Sequence, residues 1–236
     1  MAQPAVDDVL LARVRELRDA GRSPKEIARA LGMRPSAVAP LVRTVAAQAV
    51  EAQAGPELVG CWVSPLWRVG LAVDGHDDWP SSAAPDGAEA GLVFVVVARR
   101  HLPRRSSVVG FLVDTYCLGV KNAVEPRIMN DREVPAFLDT FFSAFADPPL
   151  AAPLDLGRHL VLGAVDYARG LGFEPHPDFA AARGHLGEWS EASAITFGRD
   201  GMPFYMSGPH DNPNAVIRTL TRTVGDGNFH FLTGLG

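Results

Sequence analysis

"GLVFVVVARRHLPRRSSVVGFLVD", residues 91–114, holds two β-rich runs, and its reading decides the fold. Residues 91–98 and 107–114 are dense in Val and Phe, and "RRHLPRRSS" between them reads as a hairpin. Alternation through "VVGFLVD" sends Val109, Phe111 and Val113 to one face, and Gly110, Leu112 and Asp114 to the other. The arginine-rich connection "ARRHLPRR" (98–105) reads as a solvated hairpin tip, or as a place for phosphate contact.

Outward from the hairpin, short strands are expected around Trp62 and Trp67, then a long polar loop over 74–91. Towards the C-terminus the patterns predict helices at about 133–146, 154–170 and 178–186. "AITFGRDGMPFYM" (194–206) reads as two strands around an Asp-Gly turn. A helix follows at 213–224, with Pro213 in its first position after Asn212, and then a strand at 228–232. Hairpins and helices come in blocks without β-α-β alternation, which points to the α+β class.

The chain has 236 residues, 47% hydrophobic and 21% charged, enough to bury a sizeable core. Its longest apolar run, "LVFVVVA" (92–98), is far short of the roughly 20 residues a membrane helix needs. The start, "MAQPAVDDV", has neither a basic flank nor an apolar signal core. Two distant cysteines, Cys61 and Cys117, make no disulfide framework and no zinc-type pair. A reduced cytoplasmic setting without a membrane partner is the expectation. Residues 1–55 carry eight Lys/Arg against six Asp/Glu, whereas the remainder carries fourteen against twenty-one. A mildly basic head on an acidic body suits a head that approaches phosphates.

In the head, Val6, Val9, Leu10, Val14 and Leu17 fall at helical spacing, with Asp7 and Asp8 in the first turn and Gly21 as the stop. "SPKE" (23–26) is a helix start: Ser23 caps, Pro24 takes the first position and Glu26 completes a capping box. The stretch "SPKEIARALGMRPSAVAPLVR" (23–43) resembles the helix-turn-helix of bacterial DNA-binding proteins. Ala28 is the small residue where helices touch, Gly32 the turn, and Ile27, Leu31, Val38 and Leu41 the lock. The resemblance implies a second helix in the major groove, presenting Arg34, Ser36, Ala39 and Arg43, with Lys25 and Arg29 for phosphates. Pro40 departs from the pattern and is expected to kink that helix. The domain reading is a helix-turn-helix head over 1–50, a linker over 51–57 and an α+β body over 58–236.

The body resembles an uncharacterised family of bacterial proteins in "GLVFVVVARR", "GFLVDTYCLGVKNA", "YARGLGFEPHPDF" and "FGRDGMPFYMSGPHDN", a resemblance that supplies no activity. The chemistry-bearing stretch is "DTYCLGVKN" (114–122). Asp114 ends a strand, Cys117 and Leu118 read as buried, Gly119 breaks the strand, and Lys121 falls in a loop or new turn. A Cys117–His176 dyad, an Asp114–Lys121 ion pair and simple packing are the alternatives. Glycine at 119, two before the lysine, counts against a PD-(D/E)xK nuclease. In "EPHPDF", two prolines flank His176, and Asp178 either orients it or caps the next helix. His210 and Asp211 precede the 213–224 helix, as an anion site or as a turn and cap. On the 154–170 helix, Asp155, His159 and Asp166 share one face, which could be a metal face; the apolar residues centre almost opposite, so it reads as solvated. No cofactor fingerprint and no metal-ligand set is read from the sequence.

The expected function is DNA binding, as a transcriptional regulator whose head takes double-stranded DNA through Lys25, Arg29, Arg34, Ser36 and Arg43. The body is left a small molecule, a protein partner or a second copy of the chain as a homodimer. The alternative is an enzyme acting on nucleic acid or a nucleotide-like substrate, with the head for docking and Asp114, Lys121, His176 and Asp178 as its catalytic set. A third reading makes the head a protein-interaction element.

Overall fold

The computed structural model describes residues 6–54, 56–85, 90–209 and 211–233, with backbone only for 6–8, 19 and 46–54. The chain divides into two compact units, Met1–Pro56 and Glu57–Gly236.

The first unit holds three helices: α1 (Val6–Asp19), α2 (Pro24–Ala30) and α3 (Pro35–Ala54). The capping box that opens α2 is fully formed, with Ser23 N–H donating to Glu26 at 2.8 Å and Glu26 N–H donating to Ser23 Oγ at 3.4 Å. Gly32, at φ +64°, makes the turn into α3, a conformation that costs glycine little. Val14, Ile27, Ala28, Val38 and Val45 form the core, with Leu11, Leu17, Leu31 and Leu41 packed around them. Val9 is 57% exposed, and Leu11 takes the place expected for it beside Val14. α3 is helical on both sides of Pro40, whose missing donor removes one hydrogen bond without ending the helix. It also continues to Ala54, through residues expected to be linker, because Ala, Gln and Glu favour helix until Gly55 and Pro56 follow.

The second unit is α+β, built on a five-stranded antiparallel sheet in the order β5-β4-β3-β1-β6. The strands are β1 (Leu58–Val63), β3 (Leu92–Leu102), β4 (Arg105–Asp114), β5 (Gly119–Asn130) and β6 (Leu150–Ala151), and β2 (Ala72–Val73) lies outside the sheet. Helices α4 (Glu133–Phe141) and α5 (Leu154–Gly170) cover its two faces. Val95, Val97, Val109 and Phe111 pack with Leu156, Leu160 and Val161 of α5. Val96, Ala98 and Val108 pack with Val134 of α4 and Phe142 just after it. Central strands buried on both faces need apolar residues at every position, so 92–98 is a continuous apolar run. Gly157 lets α5 lie close to β1, since a Cβ there would sit 2.8 Å from Cys61 Sγ.

The hairpin is tighter than its sequence suggests. β3 and β4 pair as far as Leu102 with Arg105, leaving Pro103 and Arg104 as the loop. Arg99 is thereby buried, its Nε donating to His185 O at 2.7 Å, and Arg100 pairs with Asp131 at 2.9 Å. β5 corrects a further expectation: Gly119 opens a twelve-residue strand instead of releasing the chain. Pro126 sits within β5, which is tolerated because β5 is the sheet edge.

The C-terminal third comprises α6 (Phe179–Ala182), a 3-10 turn at Arg183–Leu186, β7 (Ile195–Thr196), β8 (Phe204–Met206), α7 (Pro213–Val224) and β9 (His230–Leu232). Asp200 and Gly201 make the expected turn, at φ +55° and +82°, closed by a single bridge from Arg199 to Met202. The flanking strands then diverge: β7 pairs with β2, and β8 pairs in parallel with β9 across α7. Among the described residues no helix is long and apolar enough to cross a membrane.

Candidate functional site

Thr115–Leu118 joins β4 to β5, and Asp114 organises that turn. Its Oδ1 accepts the amide N–H of Tyr116 at 2.9 Å and of Cys117 at 3.0 Å. Burial pushes the Asp114 carboxyl up to about 6, against the pull of the Tyr116, Leu118 and Cys117 amides and the Lys121 charge. Tyr116 donates its hydroxyl to Val69 O at 2.7 Å. Cys117 is fully buried with Leu171, Tyr205, Leu220 and Phe229, and burial drives its thiol well above the ordinary range. It is a packing residue, unfit to act as a nucleophile.

Lys121 reaches past Asp114 to Asp211, with Nζ 2.8 Å from Oδ2. That carboxylate also accepts Gly208 N–H at 2.8 Å and the Tyr205 hydroxyl at 3.4 Å. Partial burial pushes Asp211 up, but Lys121, Gly208 and Tyr205 outweigh it and hold the carboxyl below its usual value. His210 lies outside the described residues.

His176 and Asp178 form a separate pair. Nδ1 of His176 lies 3.6 Å from Asp178 Oδ2, and both side chains are partly exposed. The backbone N–H of His176 donates to Val120 O at 2.9 Å, which ties this loop to β5. Asp178 occupies the N-cap position of α6 without a side-chain capping bond. Among the described residues no hydrogen bond or ion pair joins His176 or Asp178 to Asp114, Cys117 or Lys121. Of the four residues expected as a catalytic set, only His176 and Asp178 pair directly; Asp114 holds the turn amides, Lys121 pairs with Asp211, and only the charge of Lys121 acts on Asp114.

The head presents its candidate contacts outward. Lys25, Arg29, Arg34, Ser36 and Arg43 are all exposed, and none enters an ion pair among the described residues, whereas Arg22 lies 3.7 Å from Glu26. No acidic residue lies in the first turn of α3, so its positive end is not neutralised from within.

The face of α5 expected to be solvated is partly buried, and this is the main correction. Asp166 is exposed, but His159 is only 3% exposed. A helical wheel assumes one buried face. Here residues 74–79 and 189–197 cover a second flank, so α5 also buries Gly157, His159 and Gly163. Ala194 N–H donates to His159 Nδ1 at 2.9 Å, which fixes Nδ1 as acceptor. His159 Nε2 lies 3.7 Å from Asp155 Oδ2. His76 approaches from the 74–79 segment, stacked on Trp79 at 4.1 Å and 13°, with its ring 5.6 Å from that of His159. One donor atom each of His76, Asp155 and His159 lies within 4.8 Å of the others, a grouping with metal-ligand character. Burial lowers the affinity of His159 for a proton; His76 adds to this, and Asp155 and Glu191 oppose it. Only the one-turn spacing of Asp155 and His159 hinted at this group in the sequence.

Comparison of the chain with protein-family models, curated proteins and solved structures finds no match.

Proposed function

We propose that the protein binds double-stranded DNA through its helical head and acts as a transcriptional regulator, with the α+β body binding a ligand or partner. The supporting observation is the division of labour across α2 and α3. Ile27, Ala28 and Val38 are buried between the helices, while Lys25, Arg29, Arg34, Ser36 and Arg43 all face outward. A short helix set against a longer one across a glycine turn presents the start of α3 as a ridge for the major groove. Arg34 stands immediately before that helix and Ser36 in its first turn, where backbone N–H groups favour phosphate. Arg29 and Lys25 extend the cationic surface along α2. The presented surface lacks Asn and Gln, so phosphate contacts carry more of the affinity than base readout does.

The test is fluorescence anisotropy of a mixed-sequence duplex with the full chain across roughly 50–200 mM salt. Binding should weaken as salt rises, and Arg29→Ala and Arg43→Ala should each reduce the slope by about 1. Salt-independent binding, or none at low salt, overturns the reading.

A further inference from the structure

We infer that His76, Asp155 and His159 form a site for a divalent transition-metal ion with the ligand preferences of Zn²⁺. Two imidazoles and a carboxylate are a donor set that zinc and its first-row neighbours accept, with one or more positions left open. The three donors converge to within 4.8 Å from two distant stretches of chain, so one short sequence motif does not account for their meeting. Asp155 and His159 are one turn apart on α5, and their 3.7 Å separation exceeds a hydrogen bond. With metal–ligand bonds of about 2.1 Å, that separation corresponds to an angle of about 120° at the ion.

The surroundings hold the ligands in place. Trp79 stacks on His76 and lies 5.0 Å from the His159 ring, and Trp189 meets His159 edge-on at 5.5 Å. Asp155 also lines a cavity of 230 Å³ with Arg158, Glu188, Trp189, Ser190 and Glu191. Three carboxylates against one guanidinium favour a cation there. The indole N–H of Trp189 is buried without a hydrogen-bond partner among the described residues.

The tautomer of His159 adds a requirement. Because Nδ1 accepts the Ala194 N–H, the neutral ring carries its proton on Nε2, the atom facing Asp155. A metal on Nε2 displaces that proton, and Nδ1 takes one up, so the ring stays neutral and releases no net proton. The new Nδ1–H finds an acceptor in Ser193 Oγ, 3.3 Å away, and Ala194 N–H must turn aside. Ala194 O accepts Asp74 N–H at 2.9 Å beside the β2–β7 pair, so metal binding is coupled to the seating of the 74–79 segment. Ser193 is a positioning residue in this scheme.

The experiment titrates Co²⁺ into the untagged, chelator-treated full chain and follows visible d–d absorption. One equivalent should bind, with the intensity of a four- or five-coordinate site, and Zn²⁺ should displace it. His76→Ala should abolish the signal, and Ser193→Ala should weaken affinity about 10–100-fold as the loss of an outer-shell partner does. If His76→Ala fails to fold by circular dichroism, Asp155→Asn supplies the same test, since Asp155 is partly exposed. No Co²⁺ binding up to about 1 mM, a range spanning weak affinities, overturns the site. So does unchanged binding by folded His76→Ala or Asp155→Asn.

Discussion

Lys121 Nζ lies 2.8 Å from Asp211 Oδ2 across ninety positions of chain, and this pair fastens the edge strand β5 to the segment that leads into α7. Both side chains are largely shielded, at 18% and 13% exposure. Lys121→Ala leaves Asp211 with only Gly208 N–H and the Tyr205 hydroxyl, which should cost about 2 kcal/mol, between the values for exposed and buried pairs. Urea unfolding of Lys121→Ala, Asp211→Asn and the double variant should give a favourable coupling energy. Additive single effects would show that the pair contributes little.

Asp114 sets a stability dependence on pH. Its folded carboxyl titrates near 6, above an unfolded aspartate, so the folded state binds more protons between about pH 4 and 6. Its contribution therefore falls as pH rises through that window and levels off above it, by about 3 kcal/mol in total. Asp114→Asn keeps an oxygen for the Tyr116 and Cys117 amides and has no charge to bury. The stability difference between variant and parent should shift in the variant's favour from pH 4 to 6.5, measured by urea midpoints.

Both cysteines are buried, and desolvation pushes Cys61 up to about 12 and Cys117 higher still. Neither thiol should react with a disulfide reagent at pH 7 faster than the protein opens. Cys117→Ser should lower stability by about 1–3 kcal/mol, because a hydroxyl then needs a partner among Leu171, Leu220 and Phe229. Rapid labelling of Cys117 in the native protein would contradict its placement.

Gly119→Ala should be among the costliest single-methyl additions. The residue sits at φ +68°, and a Cβ would lie 2.9 Å from Ala164 O and 2.8 Å from Ala168 Cβ. Strain and the displacement of α5 together should exceed about 2 kcal/mol, read as a lowered thermal midpoint.

Pro40→Ala should stabilise the head without lengthening α3, since the helix is already continuous there. Restoring a donor and relieving the clash with the preceding turn is worth about 1–3 kcal/mol. A higher unfolding midpoint with unchanged far-ultraviolet ellipticity is the expected result.

The head was legible because its signals are local. Ser23, Pro24 and Glu26 mark a helix start within four residues, and Gly32 marks a turn whatever surrounds it. The body was less so where tertiary context overrules a local rule. Gly119 and Pro126 both argue against a strand, yet an edge position and a close approach to α5 accommodate them in β5. In the sequence His159 reads as facing water, because nothing in residues 154–170 tells that Trp79 and Trp189 arrive from elsewhere to cover it. The parallel pairing of β8 with β9 was equally hidden, since an Asp-Gly turn normally pairs the strands on either side of it.

The sheet's wiring carries a consequence for the order in which the body folds. β3, β4 and β5 occupy one uninterrupted stretch from Leu92 to Asn130, joined by loops of two and four residues, so their pairing closes only short loops. β1 must instead find β3 across the 64–91 segment, and β6 joins β1 only across residues 64–149. Contacts of small sequence separation form at the lower entropic cost, so the three-stranded meander should gain amide protection first in pulse-labelling hydrogen exchange. α5 then seals a sheet whose centre already exists, while β1 and β6 close late and open first.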